Sequence, residues 1–177
     1  MLKTNKVKYF QLRLKKTRKE KILIISKKII KICKRYSVKF IINDDPAIAK
    51  EVGADGCHLG QSDLNIQKAR KIFNKGIIGI TCNNSINKAK EAIKNKANYI
   101  AVGAFNSSKT KKVKYKASIN DLNKIRKLSN ISLIAIGGIN QYNYRKLLLN
   151  KADFLAISSF IWRNKKMKPE EAVRMMK

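Results

Sequence analysis

The sequence contains few acidic residues, few prolines and few glycines. Of its 177 residues only 11 are Asp or Glu, whereas 41 are Lys or Arg, which gives a net charge of +30 at pH 7. The two prolines and eight glycines exclude a flexible linker of the usual composition. Hydrophobic residues make up 44% of the chain, and a chain this long buries roughly 70% of its unfolded surface. We therefore expect residues 1–177 to form a single domain.

Long hydrophobic runs and clustered cysteines are also missing. No apolar run approaches the ~18 residues that a membrane span needs, and the start at Met1 lacks the apolar segment of a signal peptide. We expect a cytoplasmic protein without a membrane partner. The three cysteines show no Cys-x-x-Cys spacing, and His58 is the one histidine. This pattern argues against a disulfide framework or a zinc site and predicts buried, reduced thiols.

The large positive charge is compatible with nucleic acids, acidic membranes or anionic substrates as partners. The lysines, however, are spread along the whole chain, and Ile, Lys and Asn are abundant together, which is the bias of an AT-rich genome. Aromatic residues are not interleaved with the lysines in a stacking pattern. We therefore expect no specific nucleic-acid partner.

Short apolar runs alternate with longer amphipathic stretches. The runs predict seven strands, at Tyr9–Leu14, Lys39–Asn43, Gly56–Leu59, Ile77–Thr81, Tyr99–Val102, Leu133–Ile136 and Phe154–Ser158. The stretches predict helices at Arg18–Tyr36, Pro46–Val52, Ile66–Phe73, Ile86–Ala97, Asn120–Leu128, Tyr142–Leu149 and Glu170–Met176. Strands that alternate with helices pair in parallel.

This alternation predicts an α/β fold of the (β/α)₈ TIM-barrel kind. Seven strands are one too few for a closed barrel, so we expect a barrel that is truncated at its N-terminus, with the missing strand before Tyr9. A doubly wound open sheet is the alternative, but the glycine-rich fingerprint that such sheets carry after the first strand is absent.

Reactive groups of TIM barrels lie at the carboxyl ends of the strands, and these ends carry complementary groups here. Asp44 and Asp63 offer the hard oxygen ligands that Mg²⁺ prefers. Arg13, Lys15 and Lys111 carry charges that neutralise diphosphate oxygens. Together these groups predict a site for a diphosphate and a divalent metal.

A second phosphate is predicted at the glycine pair Gly137-Gly138, which opens towards a helix whose N–H groups bind anions. TIM barrels commonly bind phosphate after strands seven and eight, and Gly138 and Ser159 follow those strands when the missing one is counted. Each feature also has a purely structural interpretation. In that interpretation, His58 is a structural hydrogen-bonding residue, and the run from Asn43 to Pro46 only caps a helix.

Seven segments that hold these residues resemble the thiamine phosphate synthase family, over residues 9–162. They are Gln11-Leu-Arg-Leu-Lys15, Ile42-Asn-Asp44, Val52-Gly-Ala-Asp-Gly-Cys-His-Leu-Gly-Gln-Ser-Asp63, Ile78-Gly-Ile-Thr81, Gly103-Ala-Phe-Asn-Ser-Ser-Lys-Thr-Lys111, Ile134-Ala-Ile-Gly-Gly138 and Ala156-Ile-Ser-Ser159. The third segment is similar to the most specific stretch of the family, Val-Gly-Ala-Asp-Gly-Val-His-Leu-Gly-Gln-x-Asp.

The resemblance implies a transferase that joins hydroxymethylpyrimidine diphosphate to hydroxyethylthiazole phosphate and releases diphosphate, with Mg²⁺ on Asp44 and Asp63. It implies catalytic roles for Arg13, Lys15, Thr81 and Lys111. The pyrimidine diphosphate is expected to contact Gln11, Leu12, Arg13, Leu14, Lys15, Asn43, Thr81 and Lys111. The thiazole phosphate is expected to contact Ser108, Lys109, Thr110, Gly138, Ser158 and Ser159.

The sequence departs from the family before Tyr9, where the usual first strand has no counterpart. Asn83 stands where a histidine is common, and Asn106-Ser107 replaces an aromatic-proline pair. Two alternatives therefore stay open: a thiazole tautomerase-like protein, and a ligand-binding barrel that has lost turnover. We also expect an open seam between the first and last strands, which favours low stability or a homo-oligomer.

Overall fold

The computed structural model describes residues 1–107 and 115–176. The strands are β1 (Tyr9–Leu12), β2 (Lys39–Asn43), β3 (Gly56–Leu59), β4 (Ile77–Asn83), β5 (Tyr99–Val102), β6 (Ser132–Ile136) and β7 (Phe154–Ala156). The α-helices are α1 (Lys19–Arg35), α2 (Pro46–Glu51), α3 (Ile66–Ile72), α4 (Ile86–Lys94), α5 (Ile119–Arg126), α6 (Tyr144–Leu149), α7 (Ser159–Trp162) and α8 (Pro169–Arg174). A 3₁₀ turn at Leu2–Thr4 precedes β1. The chain divides into two compact units, Leu2–Ile80 and the residues from Thr81 onward with Met1.

In the first unit, strands β1 to β4 pair in parallel and in chain order. Leu12 lies opposite Ile42, and Asn43 lies opposite His58. The strands are nearly continuous apolar runs because both faces of a parallel sheet are covered. The core of this unit is therefore built from fully buried strand residues, which include Phe40, Ile41, Ile42, Cys57, Leu59 and Ile78.

In the second unit, β5, β6 and β7 pair in parallel, with Ile100 opposite Leu133 and Ile136 opposite Ala156. Helix α5 packs its apolar face inward and begins with a capping box, in which Ser118 and Asp121 exchange hydrogen bonds. The fully buried side chains of this unit include Ile100, Val102, Leu122, Ile125 and Leu133.

In each unit, an aspartate just before a strand accepts a hydrogen bond from the backbone of the neighbouring strand. Asp55, just before β3, accepts hydrogen bonds from the backbone N–H of Phe40 at 2.9 Å and from the ammonium of Lys39 at 2.8 Å. Asp153, just before β7, accepts one from the N–H of Leu133 at 2.7 Å and pairs with Arg126. The repeated Ala-Asp turn therefore joins neighbouring strands at their starts.

Two predicted strands end earlier than expected. Strand β1 ends at Leu12, opposite Ile42, and its partner β2 ends one residue further on at Asn43, after which Asp44 turns into the left-handed region at φ 71°. Strand β7 ends at Ala156 because β6 ends at Ile136 and the backbone then turns away at Gly137, where φ is 97°. The residues Arg13, Leu14 and Ser158 consequently lie in loops, although the sequence predicts them in strands.

Other boundaries differ by smaller amounts. Helix α6 begins at Tyr144 rather than Tyr142, and β4 extends to Asn83 rather than Thr81. Helix α7 was not predicted, because four residues are too short to show helical periodicity. Within residues 1–107 and 115–176, no helix combines the length and the apolar character needed to cross a membrane.

The predicted buried thiols are confirmed. Cys33, Cys57 and Cys82 are all free and buried. Burial raises the pKa of Cys33 to about 11, and it raises the pKa values of Cys57 and Cys82 to about 12. The thiols therefore stay protonated at neutral pH, which is the chemistry of packed core residues rather than of nucleophiles.

Candidate active site

The segment that leaves β1 carries alternating polar side chains. Gln11 donates from its amide nitrogen to the side-chain oxygen of Asn43 at 2.5 Å, which links the carboxyl ends of β1 and β2. Arg13 is exposed. Lys15 forms an ion pair with Asp44, and its side chain remains 51% exposed. This end of the first unit thus presents positive charge to solvent beside a carboxylate.

The structure separates the two aspartates that follow β2. Asp45 caps α2, because its carboxylate accepts hydrogen bonds from the N–H groups of Ala47 at 2.8 Å and Ile48 at 2.9 Å. Asp44 does not cap the helix: its carboxylate accepts from Lys15 and from the side-chain amide of Asn43. The capping interpretation is therefore correct for Asp45 but not for Asp44.

Asp63 reaches the same place from the loop after β3. Its carboxylate accepts a hydrogen bond from the N–H of Gly60 at 2.6 Å and lies within hydrogen-bonding reach of Asp44. Burial raises the pKa of the Asp63 carboxyl, and the neighbouring Asp44 raises that pKa further, against the lowering effects of the Gly60 N–H and of Lys15. Two carboxylates that face each other in this way favour a bound cation or a shared proton.

His58 lies in β3 and is only 8% exposed. Burial lowers the pKa of its imidazole to about 4, although the charge of Asp44 acts in the opposite direction. The ring is therefore neutral at physiological pH. Its burial agrees with the structural interpretation of this residue.

The donor set at Asp44 and Asp63 fits Mg²⁺. This ion is commonly held by one or two carboxylates together with substrate phosphates and water, rather than by a complete protein cage. Among the residues that the structure describes, no group of three or more His, Cys, Asp or Glu side chains is placed to hold a metal. A metal at this pair would therefore take its remaining ligands from phosphate oxygens or water.

A cleft of about 250 Å³ adjoins Asp44. Its walls include Leu12 and Leu14, which were predicted as substrate contacts, and also Thr17 and Lys19, which were not predicted. The loop between β1 and α1 is short, so every residue in it lies near the strand ends. That short spacing was the signal in the sequence that could have identified Thr17, whereas Lys19 is the first residue of α1 and no local pattern marks it.

In the second unit, the glycine pair after β6 lies against the loop after β5. A Cβ atom on Gly138, where φ is 60°, would lie 2.2 Å from the carbonyl oxygen of Ser107 and 2.7 Å from Cβ of Asn106. The N–H of Asn106 donates to the carbonyl of Gly137 at 3.1 Å. Only glycine allows this close approach at Gly138.

The predicted link between the glycine pair and a helix needs correction. Five residues separate Gly138 from α6, which begins at Tyr144. The helix that does start directly at a predicted phosphate residue is α7, because Ser158 is its N-cap and Ser159 its first residue. Since β6 pairs with β7, the loops that carry Gly138 and Ser158 follow adjacent strands.

The remaining predicted residues divide into two groups. Thr81 lies in β4 and is half-buried. Ser108, Lys109, Thr110 and Lys111 lie outside the described residues, so their expected contacts stay predictions.

Comparison with known proteins places this arrangement in a family. The sequence profile of the family described as thiamine monophosphate synthase matches residues 1–161. A thiamine-phosphate synthase of Pelagibacter ubique is 58% identical over 177 residues, which cover 100% of this chain and 86% of that protein.

Solved structures give the same result for the fold. A thiamine phosphate pyrophosphorylase from Pyrococcus furiosus superposes with a TM-score of 0.88 at 28% identity, over 96% of this chain and 80% of that one. A 3-hexulose-6-phosphate synthase superposes with a TM-score of 0.72 at 16% identity, over 98% of this chain and 87% of that one, and shows the fold alone.

The chain is thus an α/β enzyme of the TIM-barrel type, with seven parallel strands in the described residues. It belongs to the thiamine monophosphate synthase family. It is a transferase, and neither the tautomerase-like nor the degenerate alternative is favoured by these relatives.

Proposed function

We propose that the enzyme couples hydroxymethylpyrimidine diphosphate with hydroxyethylthiazole phosphate to form thiamine phosphate and diphosphate. The bond between the pyrimidine methylene carbon and the diphosphate oxygen breaks, and its electron pair leaves with the diphosphate. The thiazole nitrogen then supplies the pair that forms the new carbon–nitrogen bond. No side chain acts as a nucleophile in this scheme.

The observation that carries the proposal is the facing pair Asp44 and Asp63, with Lys15 beside it. A departing diphosphate gains negative charge, and fixed opposite charges at that point are the largest usual contribution to catalysis. Lys15 and Arg13 provide such charges on the loop after β1, and Lys111 is proposed to add a third. Arg13 suits two phosphate oxygens at once because its guanidinium is planar.

Mg²⁺ held by Asp44 and Asp63 would neutralise charge on the diphosphate when it is bound. Asn43 and Thr81 are proposed to orient the pyrimidine, and Gln11 holds Asn43 in place through its 2.5 Å hydrogen bond. Leu12 and Leu14 form apolar walls of the cleft beside Asp44.

The thiazole phosphate is proposed to bind in the second unit. The loops after β6 and β7 are adjacent, and a short helix begins at Ser159. TIM barrels commonly bind phosphate with these two loops and the start of a short extra helix. Gly138, Ser158 and Ser159 would provide the donors, with Ser108, Lys109 and Thr110 from the preceding loop.

The test is an assay of the purified chain with both substrates and Mg²⁺, following thiamine phosphate and released diphosphate together. Equal amounts of the two products are expected. Release of diphosphate without thiamine phosphate, or no turnover in the presence of a correctly folded protein, would contradict the proposal.

A matched pair of glycine variants tests the thiazole phosphate site. Gly138→Ala should raise KM for the thiazole phosphate on the order of 10-fold, because the new methyl group displaces the backbone of Ser107. Gly53→Ala is the control, since Gly53 also has a positive φ, 65°, but has nothing within 4 Å of the added carbon. An equal KM effect in both variants would indicate backbone strain only.

We further propose that the enzyme works in the cytoplasm on phosphorylated small molecules. We also propose that the protein forms a homo-oligomer, which size-exclusion chromatography and thermal unfolding of the purified chain test. A monomer that unfolds cooperatively and is fully active would overturn that expectation.

A further inference from the structure

Lys15 forms an ion pair with the carboxylate of Asp44, one of the two proposed metal ligands. Its ammonium group contacts one oxygen of Asp44, and the amide of Asn43 contacts the other. Asp63 lies within hydrogen-bonding reach of the same carboxylate. A side chain proposed to bind the diphosphate is thus engaged with a residue proposed to bind the metal.

The two cations compete for the same position. An ammonium group and a divalent ion on one carboxylate repel each other strongly at contact distance. When a metal binds Asp44, Lys15 is therefore driven away from it. A diphosphate next to the metal offers Lys15 a new set of anionic partners.

The exchange requires little energy. The Lys15 side chain is 51% exposed and that of Asp44 is 30% exposed, and ion pairs with this exposure contribute little to stability. The lysine stem is flexible and its ammonium has three equivalent donors. Lys15 is therefore able to move between Asp44 and a neighbouring phosphate without a change in the fold.

We infer that Lys15 is an exchangeable counter-ion: it neutralises Asp44 in the ligand-free enzyme and moves to the diphosphate when the metal takes Asp44. The inference rests on the proposed function, because it requires the metal to bind Asp44. Its consequence is that metal and diphosphate assist each other's binding. By linkage, the assistance is the same in both directions.

The first experiment measures Mn²⁺ binding to the ligand-free protein by electron paramagnetic resonance of the free ion. Mn²⁺ is a suitable probe because it takes the same oxygen ligands as Mg²⁺. Lys15→Gln should bind Mn²⁺ on the order of 3- to 10-fold more tightly than the wild type, since the competing cation is gone.

Lys19→Gln is the matched control. Lys19 lines the same cleft and its side chain is 54% exposed, but it pairs with Glu51 at 2.9 Å rather than with Asp44. It should change Mn²⁺ affinity by less than ~2-fold, as expected for a screened charge. Equal tightening in both variants would show a general effect of charge and would overturn the inference.

The reverse experiment measures binding of inorganic diphosphate by calorimetry in buffer with a chelator. Asp44→Asn should tighten this metal-free binding, because Lys15 is released from Asp44. Asp44→Asn should tighten binding more in the wild-type background than in the Lys15→Gln background, because only the wild-type background also releases Lys15. A gain of equal size in both backgrounds would come from lost repulsion alone and would overturn the inference.

Two outcomes separate this inference from the proposed function. If Asp44→Asn binds Mn²⁺ as well as the wild type, the metal is not at Asp44, and both this inference and the proposed metal role of Asp44 fail. If Asp44→Asn loses Mn²⁺ but Lys15→Gln binds it no more tightly, the metal site stands and the exchange is wrong. Circular dichroism checks folding, which Asn preserves at position 44 because it tolerates the left-handed φ of 71°.

Discussion

The two ends of the strands use aspartate in opposite ways. At the amino ends, Asp55 and Asp153 accept backbone N–H groups of the neighbouring strand, at 2.9 and 2.7 Å, and each also pairs with a cation. At the carboxyl ends, Asp44 and Asp63 face each other. A carboxylate that accepts N–H groups of a neighbouring strand holds the sheet together, whereas the hydrogen bonds of Asp44 join it to the side chains of Lys15 and Asn43.

The comparison shows why residue type alone does not assign a role. Both kinds of aspartate lie in the stretch Val52–Asp63, which resembles the most specific segment of the family. Asp55 lies just before the start of β3, and Asp63 lies beyond the carboxyl end of that strand. The same segment therefore carries one carboxylate that binds strand backbone and one that is proposed to hold the metal.

The largest effect is expected at the carboxyl end. Asp44→Asn should lower kcat/KM on the order of 10²–10³-fold, because one electrostatic stabiliser of a developing charge commonly contributes that much. The unfolding midpoint should change little, since Asn fits the left-handed backbone of position 44. Steady-state kinetics and thermal unfolding check the two parts. Activity close to that of the wild type would contradict the proposed difference between the two strand ends, because Asp44 would then matter no more for turnover than Asp55.

The opposite pattern is expected at the amino end. Asp55→Ala removes the acceptor of the Phe40 N–H, and leaving a buried donor unpaired costs about 1–3 kcal/mol. Urea unfolding should show this loss in the free energy of unfolding, while kcat of the folded protein stays near the wild-type value. A loss of kcat with unchanged stability would show that Asp55 acts in function and does not hold the sheet together.

The pH dependence of stability sharpens the comparison at His58, which lies in β3 between the two ends. Burial lowers the pKa of His58 to about 4 from an ordinary value of 6.5. As the pH falls below about 6.5, the unfolded state takes up a proton that the folded state does not. The stability that His58 contributes is therefore complete above pH 6.5 and is lost between that value and about 4.

We expect this loss to be on the order of 1–3 kcal/mol. Urea unfolding of metal-free protein from pH 7.5 to 4.5 measures it, and His58→Gln, which does not titrate, should show a flatter profile in this window. Identical slopes in the wild type and the variant would mean that His58 does not cause the acid sensitivity.

The smallest effect is expected from the lysine at the amino end. Lys39 is 58% exposed and pairs with Asp55 at 2.8 Å, which raises the pKa of Lys39. Exposed ion pairs of this kind contribute little, and the N–H of Phe40 still holds Asp55 in place. Lys39→Gln should leave the unfolding midpoint and kcat almost unchanged. A loss as large as that of Asp55→Ala would shift the structural role from the backbone bond to the ion pair.

Much of the fold was predictable because short apolar runs that alternate with amphipathic stretches indicate parallel strands joined by helices. Strands β2, β3 and β5 have the predicted bounds. The predicted ends of β1 and β7 were wrong because a strand continues only while its neighbour can pair with it, and the neighbour's end is not a local property. Helix α7 has too few residues to leave a periodic pattern.

The candidate site was predictable in its residue types but not in their division of labour. Asn43, Asp44 and Asp45 are consecutive, and each is a good cap or ligand by type. Only the direction of the chain after β2 decides that Asp45 caps α2 while Asp44 turns towards Lys15. Lys19 lines the cleft because it is the first residue of α1, and no sequence motif predicts where α1 packs.

The sequence by itself determined the alternation of strands and helices, the parallel pairing that follows from it, the buried thiols and the chemical groups at the strand ends. These depend on composition and spacing along the chain, which are local. The tertiary structure alone decided which carboxylates meet, which one the lysine neutralises and where β1 and β7 stop. Those outcomes depend on contacts between residues far apart in the chain, such as Lys15 with Asp44, and no local pattern contains them.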